Sequence, residues 1–431
     1  MNHTTEQLDH NYDVIVAGAG LAGLTAGATA ARAGRRVLVL DGRSPGGRAR
    51  TDERNGFLFN QGAHALYRGG HAERVLGDLG IAFPDGGKPS TDTWGRRGDC
   101  ISPLPFTPTR VLRSRLVSTA GKAQLGKFVL SLRSIDPEPL ADRSAEAWLV
   151  GLGLREDATD LLRLLSHVTS YADDLDAISA DAVAAQLRAG VVDGVRYVHG
   201  GWQVLVAAIE GAATGRALEV LTGSPVVVVE PTDSGSVRVV LGDGSAFTAG
   251  SVVLATGGPA ATTSVLREPP HWGLIGPPST AACLDLGLCR PPARPVLFGV
   301  DQPLYFSTHT PAADLAPAGA SLAHLMRYGA RNAQADRADL WDHARAAGVA
   351  DADVVEQRFL ARMVTNQAVP VPGSGLTGRP SVESVGIDGV YLAGDWVGPH
   401  GLLADAALAS GQAAGRAAAA RTVAQPALAG P

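Results

Sequence analysis

Val14, Ile15 and Val16 form an unbroken apolar run, followed by a small-residue stretch that ends at Gly34 and a second apolar run up to Leu40. Short runs without alternation read as strands buried on both faces, so the pattern predicts strand, helix (about 22–33) and second strand (36–40). Much later, PVVVVE (225–230) and SVRVVLGDGSAFTAGSVVLATGG alternate around Gly242-Asp243-Gly244. This predicts a small antiparallel unit whose last strand returns to the core at Val252–Ala255. Leu125, Phe128, Val129 and Leu132, and again Leu161, Leu164, Leu165 and Val168, recur at i, i+3, i+4, i+7. Each set predicts the buried stripe of an amphipathic helix. QPLYFSTHTPAADLAPAGASLAHLM reads as a strand, a proline-rich loop and another packed segment, and Val390–Ala393 as a strand with a helix starting near Leu402.

With 431 residues the chain exceeds one ordinary core, and two domains are expected. A net charge of -5 lacks the basic excess of a nucleic-acid binder. Cys100, Cys283 and Cys289 are too few and too scattered for a disulfide framework or a closed zinc site, which points to a reducing compartment and no metal. The polar start MNHTTEQLDH lacks the order of a signal peptide, and no charge-free apolar run reaches the ~18 residues that spanning a bilayer requires. A cytoplasmic protein is expected, with peripheral membrane contact left open. Only Lys88, Lys122 and Lys127 are lysines among the 37 basic residues.

Gly18, Gly20 and Gly23 form G-x-G-x-x-G where the first strand gives way to the helix. The first glycine permits a tight turn, the second lets backbone approach a pyrophosphate, and the third lets helix pack on strand. The helix N-terminus then faces the phosphates. Asp41 follows Gly18 by 23 positions, near the spacing at which a carboxylate accepts ribose hydroxyls. A ligand-free βαβ unit would leave that acid unexplained. The acid disfavours NADP and leaves NAD and FAD open.

Gly46-Gly47-Arg48 resembles the extension after the fingerprint in the flavoprotein superfamily of amine oxidases, protoporphyrinogen oxidases and phytoene desaturase-like enzymes. The resemblance implies FAD, with permissive backbone at Gly46 and Gly47 and a delocalised cation at Arg48. GVYLAGDWVGPHGLLADAALASGQAAGR (389–416) is similar to the superfamily's C-terminal signature. By that likeness Gly394 and Asp395 meet the ribityl chain, and the N–H groups of the helix starting at Leu402 and Leu403 face the flavin. Val226 is carried over for backbone contact beside the adenine, although structure alone explains it equally well. The implied fold class is α/β. Residues 10–85, 196–265 and 365–425 would form a discontinuous Rossmann-type FAD-binding domain, 86–195 and 266–364 an inserted mixed α+β substrate domain, and 1–9 and 426–431 flexible tails.

The absence of a second full fingerprint leaves no separate NAD(P)H site. Amine oxidases of this superfamily place a lysine near the flavin and aromatics around the amine. No lysine follows Lys127 here, QAVPVPGSG carries no aromatic, and Leu402 is aliphatic. The pattern looks more like phytoene desaturase-type dehydrogenases acting on a largely apolar small molecule. His64 and His400 are candidates for proton transfer, each weighed against an ordinary structural hydrogen bond. Tyr305, Trp396 and Leu402 are candidate substrate contacts, Trp396 also reading as a packing residue. Neither a serine nucleophile elbow nor a His-Glu-x-x-His motif occurs. The expected activity is FAD-dependent removal of a hydride. The alternatives are an amine or amino-acid oxidase, and a flavin-dependent isomerase or non-catalytic lipid-binding relative.

Overall fold

The computed structural model describes residues 12–213, 218–268 and 270–421; the tails expected at 1–9 and 426–431 lie outside the described residues. One seven-stranded sheet holds β1 (Tyr12–Ala17), β2 (Val37–Leu40), β3 (Leu218–Leu221), β4 (Val226–Pro231), β5 (Val237–Leu241), β6 (Ala246–Leu254) and β7 (Val390–Leu392). The order is β4-β5-β6-β1-β2-β3, with β7 on β6. From β6 to β3 neighbours run parallel, whereas β4, β5 and the start of β6 form an antiparallel meander. Strand β6 divides its edge: Ala246–Ala249 pairs with β5, and Val252–Leu254 pairs in parallel with β7.

Four helices recur below: α1 (Leu21–Arg32), α2 (His71–Asp78), α3 (Thr119–Ser131) and α4 (Leu403–Ala420). Val14, Val16, Val37 and Val39 pack under α1, α2 and α4, while Ile15, Ala17, Leu38 and Leu40 face a second cluster on the other side. Burial on both faces is why these strands read as continuous apolar runs. Helix α1 and strand β2 fall within a residue of the expected bounds, while β1 starts two residues before the apolar run.

A second seven-stranded sheet runs in the order Val354–Asn366, Ser279–Leu288, Ser321–Tyr328, Leu304–Thr308, Val296–Gly299, Thr93–Arg97, Cys100–Pro103. Every pair is antiparallel except Val296–Gly299 with Thr93–Arg97. All ten residues of Ser279–Leu288 are buried. Ala281 and Cys283 face the helical layer containing α3, while Ala282, Leu284 and Leu286 face the helix Ala333–Ala347. Leu125, Phe128 and Leu132 enter the core from α3 and the turn after it, but Val129 is 38% exposed. The expected four-residue stripe is therefore narrower, because α3 covers the core at the surface. Leu161 and Leu164 are buried in the helix Glu156–Ser170, with Leu165 and Val168 packed beside them. Among the described residues, no helix is long and apolar enough to cross a membrane.

Candidate functional site

A cleft of about 670 Å³ opens where β1, β2 and β7 end and α1 and α4 begin. Its size lies within the range of ~300–1,000 Å³ usual for small-molecule and cofactor sites. Part of its wall is the β1–α1 turn. Gly18 has φ +111° and donates its N–H to Leu40 O at 2.7 Å, turning the chain across the end of β2. A Cβ on Gly20 would meet nothing within 4 Å, so this backbone is bare toward open space. Gly23 is not on the wall; a Cβ there would overlap the Gly18 carbonyl, so its hydrogen lets α1 sit on the turn.

Asp41 clasps this turn. Its carboxylate accepts Ala19 N–H and Arg43 N–H, each at 2.7 Å. Gly46 N–H reaches Ala19 O at 2.8 Å, which brings Gly46, Gly47 and Arg48 alongside the fingerprint. Arg48 donates to Thr365 O at 3.0 Å and ion-pairs with Asp395 at 2.8 Å. Asp395 also accepts Gln367 N–H at 3.2 Å, and the Ser410 hydroxyl of α4 holds Gly394 at both its N–H and its C=O. Stretches more than 300 residues apart thus meet across one charged contact. Val226 and Pro225 complete this part of the wall.

Elsewhere the wall is Ala63, His64, Tyr67, Tyr171, Trp202, Met363, Leu403 and Asp405. Tyr67 donates its hydroxyl to Thr169 O at 2.5 Å and Tyr171 to Ala63 O at 3.2 Å, so both offer the cleft ring surface. His64 holds Gly62 O through Nδ1 at 3.0 Å and lies edge-on to Trp202. Burial lowers its pKa to about 4, leaving a neutral imidazole at neutral pH. Helix α4 begins at Leu403 with φ +56° and no side-chain cap, which leaves its first N–H groups for a ligand. Asp405, in that first turn, accepts Ala72 N–H of α2 at 2.8 Å, and burial raises its pKa.

Four expected contacts stand away from this wall. Tyr305 and Leu402 are buried together in the core between the helical layer and the second sheet. Trp396 donates its indole N–H to Gly257 O at 2.7 Å beneath the wall. His400 is exposed and stacks on His71. Sequence reasoning missed Tyr67, Tyr171, Trp202, Met363 and Asp405. Only Trp202 carried a local signal, the Gly200-Gly201 pair before it, whose φ angles are +76° and +81°.

The residues fit a flavin dinucleotide: bare glycine backbone and two uncapped helix starts for the charged parts, and aromatic and aliphatic surface for a ring. Among the described residues, no group of three metal-binding side chains occurs.

A family model described as flavin containing amine oxidoreductase matches residues 21–285, well over half of the chain. A curated relative, one component of the limonene dehydrogenase of Castellaniella defragrans, is 34% identical over 138 residues, 32% of this chain. That match spans 22% of the relative's own length. Among solved structures, a putrescine oxidase bound to putrescine aligns with a TM-score of 0.74 at 17% identity, covering 95% of this chain and 99% of that one. Cyclohexylamine oxidase from Brevibacterium oxydans aligns with 0.67 at 19% identity, covering 95% and 98%. These likenesses show a shared mixed α/β fold. The chain belongs to the flavin containing amine oxidoreductases, a family of FAD-dependent oxidoreductases.

Proposed function

We propose that the protein is an FAD-dependent dehydrogenase or desaturase that takes a hydride from a largely apolar small molecule. The observation that carries this reading is the wall around His64, where both tyrosine hydroxyls are spent on backbone carbonyls. Two acids of the cleft wall are engaged as well, Asp395 with Arg48 and Asp405 with Ala72 N–H. An apolar substrate loses no hydrogen bond on entering such a chamber. The relative named as part of a limonene dehydrogenase supports the same substrate class.

In this reading FAD, when bound, supplies the two-electron acceptor. Residues 10–85, 196–265 and 365–425 form the Rossmann-type domain that holds it, and 86–195 with 266–364 form the inserted substrate domain. Gly18, Gly20 and the α1 N-terminus bind the diphosphate, assisted by Gly46, Gly47 and Arg48. Asp41 keeps the fingerprint turn closed and accepts a ribose hydroxyl with its remaining lone pairs. Val226 lies beside the adenine. Gly394 and Asp395 hold the ribityl chain, and the Leu403 N–H faces the ring. Neutral His64 accepts a proton released by the substrate, while Tyr67, Tyr171 and Met363 exclude water.

A second reading, an amine oxidase, is favoured by the ring surface of Tyr67 and Tyr171, against which an ammonium can bind. Anaerobic mixing separates the two. Apolar cyclic and linear hydrocarbons should bleach the visible absorbance of the bound flavin. Bleaching by amines alone, with peroxide formed in air, would replace the first reading by the second.

A further inference from the structure

Between Asp99 and Asp136 the chain carries six cations, Arg110, Arg113, Arg115, Lys122, Lys127 and Arg133, and no acid, although its net charge is -5. Two of the three lysines lie here. Arg110 is paired with Asp92, and Lys122 donates to Ser114 O at 2.8 Å, which ties the turn after the short helix Pro108–Arg113 to the first turn of α3. Arg113, Arg115, Lys127 and Arg133 are exposed and form no ion pair with another described residue.

The same segment carries the most exposed large apolar side chains of the described residues, Leu112 at 86% and Leu130 at 85%, with Phe106 and Val129 also exposed. On α3 the two faces are distinct. Gly121, Leu125 and Phe128 are buried, while Ala123, Gly126, Lys127 and Leu130, at spacings of three and four, lie on the outer face. Arg133 continues that face in the turn beyond. The stripe ends at the exposed acids Asp136 and Glu138. On the side of the neighbouring helix Glu156–Ser170, Asp157 is held by Ser118 N–H and Arg155, and Asp160 by Arg97 and Arg163. Glu156, at the start of that helix, is exposed and forms no ion pair with another described residue, whereas Asp157 and Asp160 are compensated.

We propose that this face is a docking surface for an anionic lipid bilayer, with Leu112 and Leu130 entering the acyl boundary and Arg113, Arg115, Lys127 and Arg133 meeting headgroup phosphates. Cations interleaved with protruding leucines on a helix lying along the surface suit the headgroup boundary. A protein interface would instead centre on several aromatic anchors, whereas of the two aromatics between Asp99 and Asp136 Phe128 faces inward and Phe106 is exposed at 41%. The inner face of α3 belongs to the core that includes Ala63 of the cleft wall and Leu402 before α4. Docking would thus place the core that reaches the cleft wall beside a reservoir of apolar molecules.

The test is co-sedimentation of the holoenzyme with vesicles of phosphatidylcholine containing phosphatidylglycerol, beside vesicles of phosphatidylcholine alone. Binding to the anionic vesicles only is expected. Lys127→Gln with Arg133→Gln should weaken it about 30-fold, at ~1 kcal/mol per cation near a charged surface. Leu112→Ser with Leu130→Ser should weaken it as well, and both pairs should retain bound flavin and wild-type thermal stability. Wild-type protein left in the supernatant, or glutamine variants that bind as tightly as wild type, would overturn the proposal. So would retention on immobilised polyglutamate without vesicle binding, which would assign the face to an acidic polypeptide. No substrate enters this assay, so its failure leaves the oxidoreductase reading untouched.

Discussion

Alanine at Gly23 and alanine at Gly20, two positions of the same turn, should fail in opposite ways. At Gly23 the new methyl would overlap the Gly18 carbonyl oxygen while lying 3.0 Å from its carbon and 3.1 Å from Ala255 Cβ. None of these is the free end of a flexible side chain, so α1 must lift from β1. Overpacking by one methylene in a well-packed core costs about 1–3 kcal/mol, and a clash with main chain belongs at or above that upper end, at roughly 3–5 kcal/mol. The cofactor-free protein should melt lower by roughly 3–6 °C. Gly20 is different: its φ of -76° and ψ of 179° suit alanine, and the methyl meets nothing within 4 Å. Apo stability should hold or rise by about 0.5 kcal/mol. The methyl would instead stand where the diphosphate approaches, and each charge-assisted hydrogen bond lost is worth about 1.5–3 kcal/mol, roughly 10- to 100-fold in FAD affinity. Thermal unfolding of the apo forms and fluorescence titration with FAD measure the two effects separately. A Gly20→Ala variant that binds FAD like wild type, or a Gly23→Ala apo form with an unchanged melting temperature, would refute the reasoning.

Asp395→Ala removes the carboxylate that joins Arg48 to the C-terminal stretch. FAD should bind about 10- to 100-fold more weakly by titration, while apo stability falls by about 1–3 kcal/mol, because Gln367 N–H loses its acceptor although the Arg48 side chain is 39% exposed. His343 is buried against Leu297 O, and its pKa is lowered mainly by burial, from 6.5 to about 4. The unfolded chain therefore takes up the proton first, so this contribution is complete above pH 6.5 and is lost as pH falls toward 4. Between pH 7 and pH 5 it amounts to about 2 kcal/mol, read by urea unfolding, and His343→Gln should show a shallower pH dependence than wild type. Asp285→Ala leaves the buried Arg358, which donates to it at 2.7 Å, with Asp52 as its remaining acid, and removes the acid 2.6 Å from His324 Nδ1. A loss of about 3–5 kcal/mol is expected in the same assay.

Most strands of the first sheet and the fingerprint turn could be read ahead because their determinants are local, though β3 is not among the expected strands. A strand buried on both faces has a continuous apolar run, and a turn that overlaps its own helix unless residue 23 lacks a side chain has glycine there. Arg48 and Asp395 were each legible by motif, but their pairing was not, since nothing in either stretch encodes the other. The wall around His64 was the least legible. Tyr67 and Tyr171 come from segments without a cofactor motif, and their orientation depends on Thr169 O and Ala63 O. Tyr305 and Leu402, candidates by ring chemistry and by place in the motif, instead fill space in a core, while Trp396 is buried in keeping with its packing reading. Side-chain periodicity distinguishes inside from outside; it does not distinguish one interior from another.

Strand β7 and helix α4 carry a consequence for biosynthesis. A Cβ on Gly411 or Gly415 would overlap the carbonyl oxygens of Ala22 and Ala26, so α4 lies directly against α1. Until α4 has emerged from the ribosome, the nascent polypeptide exposes the flank of α1 and lacks the ledge formed by Gly394 and Asp395. A chain in which α4 has not yet docked would therefore lack part of the cleft wall, and such partly folded chains would be targets for quality control even with the glycine fingerprint intact.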